Sequence, residues 1–391
     1  MPFASVERAV ADLRAGRLVI IFDGEERQNE GDLAMAADAV TPEAINFMAR
    51  YGRGLICVPL LGQRLDELQV PSMVRDDQAT KHGTAFAVSV EARRDVTTGI
   101  SAHDRAVTIR ALVDPATRPH DLARPGHTFP LRYREGGVLV RAGHTEAAID
   151  LVRLAGRYPA AVICPIMGDD GHMARLPEIE RLAAAHDMAV VSIAQVVEWR
   201  WRHERLVQRV GAQRLPTAFG TFTAVVYTSP YVSGECVALV LGDVAAGGPV
   251  LTRWHDGCLL GEIVGSLRCD CAERMQFALE RIATEGRGVL LYARRATPVA
   301  PLHADFPAKP VLCVDAGQQD ASTRERVEQT WALGAQVLRD LGVREVRLLT
   351  GDGSPEAAVE RYGLRVVERL PLRPRAGPRR PARANEAVGC H

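Results

Sequence analysis

The feature that most constrains this chain is an alternation of short β-rich runs with amphipathic helical stretches, which runs to about Arg205 and starts again near Ala218. Such alternation builds sheets covered by helices, and a restart implies a second sheet with its own core. At 391 residues the chain also exceeds what one ordinary core supports. Two domains are expected, over residues 1–207 and 216–372. Residues 373–391, RPRAGPRRPARANEAVGCH, carry Pro, Arg and Ala without periodicity and read as a disordered, solvated tail.

Val6 to Leu13 spaces its apolar residues as a helix does, and RLVIIFD (Arg17 to Asp23) reads as a strand opening into the acidic run EERQNEGD, Glu25 to Asp32. Sites of α/β proteins gather at such strand ends. Thr41 and Pro42 are placed as N-cap and first residue of a helix TPEAINFMARYG, with Gly52 closing it. GLICVPL, AFAVSVEA and AAVICPIM are expected to be strands, and HTEAAIDLVRLAG and LPEIERLAAAHDM helices. After the restart, FTAVVYT, VALVLGD, PVLTRW and GVLLYAR read as strands and AERMQFALERIATEG and ERVEQTWALGAQVLRDLG as helices. A strand–helix–strand unit (VREVRLLT, SPEAAVERYG, LRVVERL) follows, and no internal repeat is present.

Lys+Arg and Asp+Glu number 48 each, so no global field favours nucleic acid or an anionic membrane, and any anion needs a local site. No stretch has signal-peptide character or bilayer-spanning length, which points to the cytoplasm. The eight Cys do not suggest a disulfide scaffold, and the bunching of Cys258, Cys269 and Cys271 suggests metal ligation.

Three segments carry the chemistry of the first half: VTTGISAHDR (Val96 to Arg105), RPGHTFPLR (Arg124 to Arg132) and RAGHTEAAIDL (Arg141 to Leu151). A Gly-His turn alone is more often packing than catalysis. Two such turns below the acidic run form a pattern that resembles 3,4-dihydroxy-2-butanone 4-phosphate synthase, the riboflavin-pathway lyase that converts ribulose 5-phosphate to a four-carbon ketone phosphate and formate. The resemblance implies a magnesium- or manganese-dependent site and a homodimer. It assigns Arg27 and Asp32 to substrate contact and the Arg141, Gly143, His144, Thr145 turn to the phosphate. It makes His144 a metal ligand and His127 a catalytic group, with Cys57 and Thr98 at further matching positions. The chemistry agrees, because guanidinium forks and helix N-termini suit phosphate, and enediol intermediates need a cation and acid/base groups.

The chain departs from that family at two carboxylates. Gln28 stands where the family has a metal-binding Glu, and a neutral carbonyl holds magnesium less well. Pro165 stands where it has a catalytic Glu, and nothing in its side chain titrates. His172 and Asp169, in PIMGDDGHMAR, are the candidates to replace it.

In the second half DGCLLGEIVGSLRCDCAER (Asp256 to Arg274) resembles the zinc segment of GTP cyclohydrolase II. Cys258, Cys269 and Cys271 would hold zinc with one position open, as an attacking water requires. Arg253 suits a nucleotide phosphate. Beyond Tyr292 the similarity ends: RRATPVAPLHADFPAKP replaces the guanine-recognising segment, and Val327 and Gln329 fall where the family has an Asp-x-Arg pair, with Arg324 and Arg326 nearby. These readings predict an α+β mixed-sheet N-terminal domain and a smaller zinc-binding mixed α/β domain. They further predict a lyase acting on ribulose 5-phosphate or a related pentose phosphate, weakened or redirected by Gln28 and Pro165, beside an inactive cyclohydrolase domain. The rival readings are a non-catalytic metabolite-binding or regulatory paralogue and an intact bifunctional enzyme.

Overall fold

The computed structural model describes residues 3–24, 27–74, 83–266, 269–295, 321–351 and 356–372. The C-terminal tail, residues 296–320 and the side chains of Arg324, Arg326 and Val327 lie outside that set. The chain forms two units, Met1–His203 and Glu204–His391.

The first unit runs α1 (Val6–Arg14), β1 (Val19–Phe22), β2 (Gly31–Ala36), α2 (Pro42–Phe47), β3 (Cys57–Leu60), α3 (Gly62–Glu67), β4 (Val90–Ala92), α4 (Ala102–Val113), β5 (Leu122–Arg132), α5 (His144–Leu154), β6 (Ala161–Pro165), α6 (Leu176–Ala185), β7 (Val190–Ser192) and α7 (Ile193–His203). Its strands form one mixed sheet in the order β4-β5-β3-β6-β2-β1-β7. Continuous apolar runs such as VIIF mark strands buried on both faces, and alternate residues of each strand enter different cores. Ile20, Leu33, Met35, Val162 and Cys164 join one core, with residues of α2, α4 and α6. Val19, Ile21, Ala34, Ala36, Cys57 and Ile163 join the other, with α1 and α5. Each fully buried aliphatic side chain contributes about 1.5–3 kcal/mol. A change of register by one residue would exchange the two faces, so the site residues on these strands have fixed orientations.

Local expectations were met with some changes. Ser5 and Thr41 cap α1 and α2 through their hydroxyls. The TPEAINFMARYG helix changes at Met48 into a π-helical turn, Met48–Gly52, and Arg53 then takes φ 66°. The AFAVSVEA strand is shorter than expected: only Val90–Ala92 is strand, while Phe86 and Ala87 make isolated bridges. Sequence periodicity missed β5, which keeps eleven residues as strand despite Pro125, Gly126 and Pro130.

The second unit runs β8 (Gln208–Thr217), β9 (Gly220–Ser229), β10 (Val232–Leu241), β11 (Val250–Asp256), α8 (Cys271–Glu285), β12 (Gly288–Arg295), α9 (Ala321–Asp340), β13 (Glu345–Thr350), α10 (Glu356–Arg361) and β14 (Arg365–Pro371). The sheet order is β14-β13-β11-β12-β10-β9-β8. β14, β13, β11 and β12 pair in parallel, and β12, β10, β9 and β8 pair antiparallel. The parallel part carries α8 immediately after the cysteines. Both units are therefore mixed α/β, as expected. Among the described residues no helix is long and apolar enough to cross a membrane.

Candidate active site and cysteine cluster

In the first unit the strand register builds the site. Asp32 on β2 lies directly opposite Pro165 at the end of β6, and Cys57 on β3 opposite Ile163. These positions face the core that includes Ala34, Ala36 and residues of α5. β3 pairs with β5 at Cys57 and Phe129. Within each strand side chains alternate with period two, so His127 on β5, Pro165 on β6 and Asp32 on β2 project to one face, although the β3–β6 pairing shifts by one residue toward Arg53. At about 4.8 Å per strand, the strands that carry His127 and Pro165, with β3 between them, run roughly 10 Å apart, a separation a sugar phosphate bridges.

Asp32 is 5 % exposed, and burial raises its carboxyl, with His144 opposing that shift. His144 begins α5 and is itself buried, and its Nε2 is a buried atom without a hydrogen-bond partner. Leaving such a nitrogen empty costs on the order of 1–3 kcal/mol, so a ligand there is chemically reasonable. The donor set fits a divalent cation only in part. An open imidazole and one carboxylate are available, and Gln28 adds a neutral carbonyl where a hard cation favours charged oxygen.

The acidic run is folded back on Asp23, which follows β1. Its carboxylate accepts from Arg27 Nη1 at 2.9 Å and from the Glu30 amide at 2.8 Å. Arg175 Nη1 donates to the carbonyls of Gln28 and Asn29, at 2.9 and 2.8 Å, tying this turn to the start of α6. Sequence reasoning missed Arg175, because its partners are backbone atoms and leave no trace in composition.

The turn from Arg141 to Thr145 is equally braced. Arg141 Nη1 donates to Glu146 at 2.5 Å and Nη2 to the Thr84 hydroxyl at 3.1 Å. Gly143 is the N-cap of α5, and a Cβ there would strike the Arg141 guanidinium and the Glu146 carboxylate. Thr145 is buried in the first turn of the helix. Burial raises the Glu146 carboxyl, and Arg141 opposes it.

His127 Nδ1 lies 2.6 Å from Glu91 Oε2. Glu91 was also missed, although a lone acid in the apolar run AFAVSVEA was a usable signal. A carboxylate on Nδ1 orients the ring and fixes its tautomer, leaving Nε2 for proton transfer. Thr98 is exposed in the turn before α4, while its neighbour Thr97 donates to Asp104 at 2.7 Å. Burial pushes the Cys57 thiol up, which disfavours its thiolate form. Of the two substitutes for a residue-165 carboxylate, Asp169 is held by Arg53 at 2.7 Å, and His172 is exposed.

In the second unit Cys258, Cys269 and Cys271 place their sulfurs within 4.8 Å of one another. Cys258 Sγ and Cys269 Sγ are 3.8 Å apart. Tetrahedral thiolates at zinc bond lengths of about 2.3 Å require roughly 3.8 Å, so the cluster fits that metal. The cradle is close: a Cβ on Gly261 would come within 2.5 Å of Cys269 Sγ. Burial pushes Arg253 down to about 10, with Arg274 adding to the effect, and its Nη1 donates to the Leu349 carbonyl at 3.1 Å.

Residues 7–199 match the family model described as 3,4-dihydroxy-2-butanone 4-phosphate synthase, and residues 208–371 match GTP cyclohydrolase II. The riboflavin biosynthesis protein RibBA of Nocardia farcinica is 48% identical over 389 residues, covering 96% of this chain and 92% of its own. The RibBA protein of Aquifex aeolicus is 45% identical over 382 residues, covering 95% of this chain and 93% of its own. Among solved structures, RibBX, a two domain 3,4-dihydroxy-2-butanone 4-phosphate synthase from A. baumannii, is similar with a TM-score of 0.73 at 35% identity, covering 94% of this chain and 99% of its own.

Proposed function

Because the chain belongs to the RibBA family of riboflavin biosynthesis proteins, which join a 3,4-dihydroxy-2-butanone 4-phosphate synthase domain to a GTP cyclohydrolase II domain, we propose that it binds ribulose 5-phosphate or a similar pentose phosphate. In this reading it acts as a lyase halted or redirected part-way through the synthase reaction. The observation that carries the proposal is the shared face of His127, Pro165 and Asp32 beside the open His144 nitrogen. Arg141, the Gly143–Thr145 amides and Arg27 would hold the phosphate and hydroxyls. His127, oriented by Glu91, would move a proton between substrate carbon and oxygen. His144 and Asp32, with Gln28, would hold magnesium or manganese, whose chemistry when bound is to polarise the ketone and diol oxygens. Pro165 offers no group for the later proton transfers, so enolisation is retained and formate release is impeded.

In the C-terminal unit the cysteines suit zinc, while the segment after Tyr292, RRATPVAPLHADFPAKP, does not carry the residues with which the cyclohydrolase family is expected to read a guanine edge. Missing hydrogen-bond partners of that kind cost orders of magnitude in recognition. We infer that this unit no longer opens GTP. The A. baumannii protein, which aligns with 94% of this chain and so spans both units, is a two domain 3,4-dihydroxy-2-butanone 4-phosphate synthase, and that is compatible with this reading.

The test is NMR of ribulose 5-phosphate in deuterated water with magnesium and the full chain. The expected result is substrate C–H exchange faster than formate release, and no formate from GTP. Brisk production of the four-carbon ketone phosphate would show that His172 or Asp169 has replaced the missing carboxylate. Absence of both binding and exchange would favour the non-catalytic paralogue.

A further inference from the structure

Beneath the cysteines of the second unit lies a buried polar group that metal ligation alone does not explain. Glu262, in the turn between Cys258 and Cys269, directs its carboxylate inward. Oε1 accepts from the Cys258 amide at 2.7 Å and contacts His255 Nε2 at 2.7 Å; Oε2 accepts from the Tyr292 hydroxyl at 2.8 Å. His255 and Tyr292 are register partners on the parallel strands β11 and β12, and their rings stack at 5.8 Å. His255 is 2 % exposed and the Glu262 side chain 5 %. Three donors from three segments thus converge on one carboxylate.

The contact with the Cys258 amide is the informative one. It fixes the backbone of the first cysteine relative to the sheet, while the Gly261 amide donates to that cysteine's sulfur at 3.4 Å. The turn Leu259–Ile263 exposes Leu259 and Ile263, so the packing of those two side chains does not hold it in place. Among its described side chains the hydrogen bonds beneath it are the contacts that tie it to the sheet.

We propose that Glu262, anchored by His255 and Tyr292, is the positioning residue of the thiolate cluster and presents Cys258 at metal-binding separation before a metal arrives. Groups that orient ligands in this way cost about 10- to 100-fold in metal affinity when removed. The proposal rests on the zinc reading of the cysteines.

The test uses the full chain, stripped of metal and titrated with zinc against a chromophoric chelator, and with cobalt(II) for its thiolate charge-transfer and ligand-field bands. Glu262→Ala should weaken zinc binding about 10- to 100-fold and shift the cobalt ligand-field bands. Glu262→Gln keeps an acceptor for the Cys258 amide and should recover most of the affinity. A merely structural network would lower the melting temperature of the metal-free and zinc-loaded forms equally, with the dissociation constant unchanged, and that result overturns the proposal. If Glu262→Ala does not fold, Tyr292→Phe decides: a several-fold weaker site supports the proposal, and unchanged affinity and spectrum overturn it. An unmodified chain that takes up neither metal overturns the zinc reading itself, an outcome distinct from equal binding by the unmodified and variant chains.

Discussion

On the proposed reading the N-terminal unit keeps the groups that would hold a sugar phosphate and has Gln28 and Pro165, neither a carboxylate, among those that would act on it. The C-terminal unit keeps its three thiols in metal-binding geometry, and on the same reading it has lost the guanine-reading segment after Tyr292. The contrast separates positions the fold needs from positions it does not. Pro165 ends its strand, and its missing amide is not used on the β2 edge, where Ile166 donates to the Gly31 carbonyl at 2.9 Å, while the Pro165 carbonyl still accepts from the Gly54 amide at 3.1 Å. Gln28 lies in a turn held by its backbone carbonyl rather than its side chain. Either residue can change with little effect on folding. The cysteine turn is different, since its backbone, its sulfurs and Glu262 form one linked structure.

The largest expected effect would break this contrast from the N-terminal side. Gln28→Glu with Pro165→Glu should raise formate release from ribulose 5-phosphate by roughly 10²- to 10⁴-fold, the usual value of a general acid or base. Each single change should give much less, because cation and proton-transfer groups act as a unit. The register places the new carboxylate directly across from Asp32, where like charge and burial favour a shared proton. If the double variant releases no more formate than the unmodified chain, the loss lies deeper than those two side chains.

A smaller effect sharpens the contrast from the other side. The unmodified protein should carry about one zinc per chain, because soft thiolates select that metal. Cys258→Ser should lose it and lower the melting temperature of the C-terminal unit. Trp254 and Trp331, whose ring centroids are 4.3 Å apart, would report the transition by fluorescence. Unchanged melting in metal-free protein would mean that the cluster is unconnected with the stability of its domain.

The same division governs how much the sequence discloses. The cysteines are legible from spacing alone, since packing rarely gathers three soft ligands within so short a segment. Strand β1 and helix α5 are legible because burial imposes periodicity on them. The N-terminal site is assembled from β1, β2, β5, β6 and α5, so only resemblance gathers Arg27, Asp32, His127 and His144 in advance. Glu91, Arg175 and Glu262 escaped even that, because what distinguishes them is the groups they contact in the folded chain. Strand β8 escaped for another reason: nearly all its residues are exposed, so neither face carries an apolar signature.

The smallest effect tests whether the N-terminal frame stands independently of its altered chemistry. Asp104 lies one turn into α4 and accepts from the Thr97 hydroxyl at 2.7 Å and the Gly99 amide at 3.0 Å, closing the turn that carries Thr98. The Thr97 hydrogen bond leads in holding its carboxyl down at about 2, below the ordinary 3.8. A carboxyl that is lowered on folding contributes stability in full above its unfolded value and loses it as the pH falls through the folded one. Asp104→Asn should therefore cost stability at pH 7 and progressively less between about pH 4 and pH 2. Trp199 and Trp201 in α7 can report N-terminal unfolding in a Trp254→Phe, Trp331→Phe background, with denaturant curves at each pH. A deficit independent of pH would trace the penalty to lost hydrogen-bond geometry rather than charge. If that deficit leaves substrate exchange untouched, the Thr98 turn belongs to the frame alone; if exchange falls in step with it, the turn positions the substrate as well.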